Sequence, residues 1–150
     1  MKKIITCLLA ALGLTTACGH ANYEDADVKG FSELIENPDV VLLDVRTADE
    51  YAEGHIDGAV LIDQGQDDFI EKAKATITTD KQIAVYCRSG RRSASAANRL
   101  AAEGYRCVNL KGGILAWKEA GMPVTTETDV SGVPSQLQND GIDVRIKHYE

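Results

Sequence analysis

Aromatic side chains are scarce, at 5% of 150 residues. The core must therefore be aliphatic, drawn from Val, Ile, Leu and Ala, as in a sheet covered by helices. Histidine is nearly absent too, and His20, His55 and His148 show no ligand spacing with each other or with the cysteines, so no metal site is expected. The first apolar run, Ile4 to Leu14, spans 11 residues, whereas crossing a bilayer as a helix takes about 20. That run is not a membrane span. Basic residues number 16 against 23 acidic ones, a net charge of −7, which argues against general nucleic-acid binding. Any anion handled here must be drawn by a local basic cluster working against the overall field, and one exists at residues 88–92. Collagen-like, coiled-coil and low-complexity readings all fail, and the length suits one globular domain with appendages.

The beginning of the chain reads as an address. Lys2 and Lys3 precede the apolar run, and the small residues Thr15, Thr16 and Ala17 lead to Cys18, in the order of a secretory signal. Leu14-Thr15-Thr16-Ala17-Cys18 also resembles a bacterial lipobox, which implies lipidation of Cys18 after removal of residues 1–17. Two acyl chains at roughly 0.8 kcal/mol per buried methylene hold a protein stably at a membrane. Thr15, where Leu is commoner, keeps open ordinary signal cleavage after Ala21 and a soluble periplasmic protein. The expectation is an exported lipoprotein, facing the periplasm or the cell surface, with residues 18–27 as a polar tether. Loss of Lys2 and Lys3 takes the charge to about −9.

The body alternates strands and helices. Val40-Val41-Leu42-Leu43-Asp44, Gln82-Ile83-Ala84-Val85-Tyr86 and Cys107-Val108-Asn109-Leu110 are short apolar runs that suit strands buried on both faces, and Ala59-Val60-Leu61-Ile62 supplies another. Between them lie helical faces: Phe31, Leu34 and Ile35; Phe69, Ala73 and Ile77; Ala94, Ala97, Leu100 and Ala101. A last helix holds Ile114, Leu115 and Trp117. Pro38, Gly104 and Gly121 punctuate them. The order predicts an α/β fold with right-handed crossovers, a mostly parallel sheet and helices on both faces. Ligands bind beyond the carboxyl ends of strands in such sheets.

That rule singles out Cys87, which directly follows the strand ending at Tyr86. Cys87-Arg88-Ser89-Gly90-Arg91-Arg92-Ser93 then leads into a helix. Inward N–H groups of a tight loop and the helix dipole both favour thiolate over thiol. Arg88, Arg91 and Arg92 add to the bias, so the thiol should ionise below the free value of about 8.5. Gly90 lets the loop close. A cysteine at a strand end is by itself more often an inert small hydrophobe. Three arginines, a glycine and a following helix reverse that balance.

Three runs then acquire a common meaning. Leu43-Asp44-Val45-Arg46 with Glu50-Tyr51, Gly54-His55-Ile56 and Gly58-Ala59 resembles the amino-side signature of the rhodanese family of sulfurtransferases. The cysteine loop resembles that family's active-site loop, and Leu110-Lys111-Gly112-Gly113-Ile114 with Trp117 and Gly121-Met122-Pro123 its carboxy-side signature. The resemblance covers residues 28–123 and implies a small five-stranded, mostly parallel sheet with Cys87 carrying persulfide sulfur. It further implies that Arg88, Ser89, Gly90, Arg91 and Arg92 cradle the oxyanion of a small anionic sulfur donor. Ser93 would support the site, Asp44 would sit near the loop and His55 beside it. The acceptor would be a thiol or cyanide, with no cofactor and a monomeric chain.

Blander roles compete for the outer residues. Asp44, Arg46 and Glu50 read best as a polar network bracing the loop. His55 reads as a structural hydrogen-bonding residue and Trp117 as a core anchor. Cys107 begins its strand whereas Cys87 follows the end of its own, so a disulfide between them exceeds the roughly 7 Å Cα limit. Two other functions remain open: a phosphatase or arsenate reductase of the related fold, and a non-catalytic sulfur-relay module at the membrane surface. The first resembles Cys, five residues, Arg; here Ser93 stands in the arginine's place, and Tyr86 where His often precedes the cysteine. Residues 124–150 form a polar tail, with Thr125 to Asn139 as an exposed linker. Ile142, Val144 and Ile146 alternate with polar residues as in an edge strand.

Overall fold

The computed structural model describes residues 22–126. The signal segment, Cys18 and the tail beyond Thr126 lie outside the described residues. In chain order the elements are β1 (Glu24–Ala26), α1 (Val28–Leu34), β2 (Val40–Asp44), α2 (Ala48–Glu53), β3 (Val60–Leu61), α3 (Phe69–Thr76), β4 (Gln82–Tyr86), α4 (Arg91–Ala102), β5 (Arg106–Leu110) and α5 (Gly113–Glu119). The strands form one sheet in the order β1-β5-β4-β2-β3, every pairing parallel.

Alternation along the strands sends side chains to two separate cores. Leu43 and Val45 of the β2 segment join Ile83, Val85 and Cys87 of the β4 segment against Phe69 and Ala73 of α3 and Ala96, Ala97 and Leu100 of α4. Val40 and Leu42 join Ala84, Tyr86 and Leu110 on the other face, against Phe31 of α1 and Ile114 and Trp117 of α5. Burial on both faces is why the strands read as unbroken apolar runs. Trp117 packs edge-on against Phe31, ring centroids 6.4 Å apart, and its Nε1–H donates to the Pro123 carbonyl at 2.8 Å.

Several elements differ from the sequence expectation. Residues 24–26 lie within the expected tether, yet they form the edge strand β1, paired with Val108–Leu110. This segment has too few apolar residues to announce itself as a strand. Tertiary pairing makes it one. The tail likewise begins later than residue 124, because Thr125 exchanges two backbone hydrogen bonds with His55, at 2.8 and 2.9 Å. Helix α2 carries no apolar stripe but begins with a capping box, Thr47 and Glu50 each satisfying the other's backbone N–H. The buried face of α4 is Ser93, Ala96, Ala97 and Leu100 rather than one running through Ala94 and Ala101. Ile77 is buried as expected, but on extended backbone just past α3. Leu115 of α5 is 46% exposed.

Register places the site. Asp44 pairs with Tyr86 at the carboxyl ends of β2 and β4, so the chain leaves both central strands at one level. Cys87 is the first residue past that level, at the middle of the sheet.

Candidate active site

The loop from Cys87 to Gly90 is held from behind. The first-turn N–H groups of α5 donate to it, Ile114 to the Cys87 carbonyl at 2.9 Å and Leu115 to the Arg88 carbonyl at 3.2 Å. This close approach explains the glycine pair. Gly113 has φ +62°, and a Cβ there would lie 2.6 Å from the Cys87 carbonyl oxygen. Gly90, at φ +92°, caps α4 and lies so near Gly112 and Leu110 that a Cβ would meet backbone at 3.1 Å. With its carbonyls tied back, the loop turns its N–H groups toward the sulfur.

Cys87 is fully buried. Gly90 N–H donates to its Sγ at 3.1 Å and the Ser93 hydroxyl reaches it at 3.3 Å. Burial alone pushes the thiol up, but the Ser93 hydroxyl and the N–H groups of Ser93, Gly90 and Ser89 outweigh it, and the thiol ionises below its ordinary value. The donors that lower it are thus the loop and the start of α4. Cys107 has no such donors among the described residues, and burial pushes it up to about 12. Both cysteines among the described residues are free.

The three loop arginines have separate fates. Arg92 is committed to Glu50, which takes Nη1 and Nη2 at 2.8 and 2.7 Å. That pairing, with help from Thr47, holds the Glu50 carboxyl down at about 2. Arg88 and Arg91 are exposed, and among the described residues their side chains make no hydrogen bond or ion pair. Ser89 borders them on the exposed loop and contributes its N–H toward the sulfur.

Asp44 and Arg46 form a buried pair, Nη2 to Oδ2 at 2.6 Å and Nε to Oδ1 at 2.9 Å, and Arg46 also donates to the Gly54 carbonyl at 2.8 Å. Burial works against the Arg46 charge, but Asp44 more than compensates and raises it. Arg46 further lies 5.6 Å from the centre of the Tyr86 ring. The pair ties the end of β2 to the segment after α2, and its groups are turned to each other rather than to the sulfur. Tyr86 accepts the Ile56 N–H at 3.0 Å, and burial strongly raises its phenol. His55 is buried, stacked on Tyr51 at 3.6 Å, with Nδ1 2.9 Å from the Tyr51 carbonyl. It anchors Thr125 and the turn around Gly54.

Two residues linked to the sulfur through Ser93 escaped the sequence reading. Asn109 accepts the Ser93 hydroxyl at 2.6 Å, and its Nδ2 donates to Asp25 at 2.8 Å. The signal for Asn109 was an amide inside an apolar strand run; Asp25 gave none, lying in the expected tether.

A sequence model described as the Rhodanese-like domain matches residues 27–120. The chain belongs to the rhodanese-like family. Its relatives there include a sulfurtransferase of Allochromatium vinosum, 39% identical over 92 residues that cover 61% of this chain and 83% of the relative. Thiosulfate sulfurtransferase 18 of Arabidopsis thaliana is 36% identical over 99 residues, 58% of this chain and 73% of that one. Among solved structures, a rhodanese-related protein of Thermoplasma volcanium superposes with a TM-score of 0.63 at 34% identity, covering 70% of this chain and all of that one. This rhodanese-like chain therefore shares a five-stranded parallel fold with its family, and its cysteine loop sits where that sheet opens.

Proposed function

We propose that the protein is a sulfurtransferase that moves sulfane sulfur from thiosulfate or a related small anion to a thiol or cyanide, through a persulfide on Cys87. The observation that carries this reading is the convergence of the Gly90 N–H and the Ser93 hydroxyl on a buried Sγ, in a segment whose Arg88 and Arg91 are exposed and without a partner among the described residues. In the first step the Cys87 thiolate attacks the outer sulfur of thiosulfate. The sulfur–sulfur bond of the donor breaks, its electron pair leaves with sulfite, and Cys87 holds a persulfide whose terminal sulfur is anionic. Fixed loop N–H groups stabilise charge on sulfur without rearranging, and Arg88 and Arg91 neutralise the donor's oxyanion. Cyanide or a thiolate then attacks the terminal sulfur, the persulfide bond breaks, and its pair returns to Cys87 as thiolate. No external electron carrier enters the cycle.

The membership of named sulfurtransferases in the same family supports this reading. We also propose that Cys18 is lipidated, so that the domain works at a membrane surface on the exported side. Mass spectrometry of the purified protein tests the chemistry directly. Thiosulfate should add one sulfur atom at Cys87 and cyanide should remove it as thiocyanate. Cys87→Ser should abolish both steps and Cys107→Ser neither. Normal turnover in the Cys87→Ser variant would sink the mechanism.

A further inference from the structure

The Ser93 side chain has one hydroxyl proton and two acceptors in reach, Asn109 Oδ1 at 2.6 Å and Cys87 Sγ at 3.3 Å. It satisfies one at a time. Ser93 and Asn109 are both buried, so water does not fill in for the loser. The orientation of the Asn109 amide is not free either. Its Nδ2 faces the Asp25 carboxylate at 2.8 Å and the Gly90 carbonyl at 3.3 Å, both acceptors. Turning the amide over would set its oxygen against those two oxygens, which locks Oδ1 toward Ser93.

We propose that Asn109, held by Asp25, is a positioning residue for Cys87: its amide oxygen competes with the sulfur for the Ser93 proton. The hydroxyl turns to the sulfur while that is anionic and returns to Asn109 once the sulfur is neutral. The edge strand β1 thereby reaches the sulfur indirectly: Asp25 fixes the Asn109 amide, and Asn109 draws on the same Ser93 proton as Cys87. The purpose follows from thiol chemistry, since nucleophilicity falls as a thiolate is stabilised, and a competing acceptor keeps the thiolate from being held too firmly. It also makes the donor's hold on Cys87 vanish once that sulfur becomes the uncharged inner atom of a persulfide. This purpose rests on the sulfur-transfer reading; the competition for the proton does not.

The other charged groups around the sulfur are accounted for. Arg92 of α4 acts on Cys87 through its charge but is paired with Glu50 of α2, and Asp44 at the end of β2 is closed by Arg46. Arg88 and Arg91 stand exposed on the loop and at the start of α4, and Lys111 is exposed beyond β5.

The test is the pH dependence of Cys87 alkylation by iodoacetamide in the purified protein, located by peptide mass spectrometry. Ser93→Ala should move the midpoint up, and Asn109→Leu should move it down, each by about three- to tenfold in the ionisation constant. A merely structural role would loosen the loop in both variants and shift both the same way. In the Ser93→Ala background, Asn109→Leu should have no further effect, because no hydroxyl is left to compete for. Equal directions, or an Asn109→Leu shift that persists undiminished without Ser93, would overturn the proposal. Should Asn109→Leu fail to fold, the exposed Asp25 decides. Asp25→Ala should lower the midpoint and Asp25→Asn, which keeps an acceptor, should restore it. Equal shifts in those two variants would mean a bulk charge effect and would overturn it. Thiosulfate turnover on the same wild-type preparation keeps the two readings apart. Absent turnover with an intact alkylation pattern refutes the sulfurtransferase and leaves the positioning standing.

Discussion

Glu50 holds Arg92 by both terminal guanidinium nitrogens, although 42 residues separate them in the chain. The pair ties the first turn of α4 to the first turn of α2, so one of the three arginines beside Cys87 is a strut. On the proposed function, the burden of meeting an oxyanion falls on Arg88 and Arg91.

Arg88→Ala and Arg91→Ala should therefore each lower kcat/KM for thiosulfate by about ten- to a hundredfold, the usual worth of a charge-assisted hydrogen bond. Moderate salt should screen only part of that contribution. Lys118→Ala should leave the rate unchanged. Aryl phosphate hydrolysis on the same preparation should be negligible, and a preference for the phosphate would promote the phosphatase alternative.

Glu50→Gln should destabilise the fold by about 1 kcal/mol at neutral pH, a figure held low because both partners are partly exposed to solvent. The Glu50 carboxyl is depressed in the folded protein, from an ordinary 4.5 to about 2. Its contribution is thus full above the ordinary value and disappears as pH falls toward about 2. Urea titrations of both proteins at neutral and acid pH should show the difference shrinking on acidification. A constant difference would mean that the Glu50 charge does not contribute to stability.

Gly113→Ala should be costly at a position that touches no substrate. A residue with a Cβ is strained by roughly 1–2 kcal/mol at positive φ. The new methyl would also press on the Cys87 carbonyl. A lowered Tm together with a raised Cys87 alkylation midpoint is the expected outcome, because the loop N–H groups lose their aim. An unchanged midpoint would mean that α5 does not aim the loop.

The two described cysteines should differ sharply in reactivity. Cys107 is pushed up to about 12 and stays a thiol at neutral pH, whereas Cys87 ionises below its ordinary value. Iodoacetamide should modify Cys87 first, and a bulky maleimide much more slowly, since the sulfur is fully buried. Preferential labelling of Cys107 in the native protein would contradict these opposite shifts.

Metabolic labelling with a fatty-acid analogue should mark the wild-type protein and spare Cys18→Ala. Label retained in the variant, or absent from the wild type, would favour a soluble exported protein.

The sequence by itself determined the central architecture and the candidate nucleophile. Apolar runs at β2, β4 and β5 and helical faces around Phe31, Phe69 and Leu100 are local patterns, each written in consecutive residues. Cys87 was legible because its chemistry needs a strand end, a glycine and a helix start within one short segment. The partners that tune this sulfur were decided only by tertiary structure. Asp25 and Asn109 stand 84 residues apart, and β1 becomes a strand only because β5 offers it an edge. Likewise Arg88, Arg91 and Arg92 read alike in the chain, and Glu50, brought up by α2, is what separates them. A hydrogen bond between distant residues depends on how whole elements pack, and that information is spread over every residue in both cores rather than written beside the groups that meet.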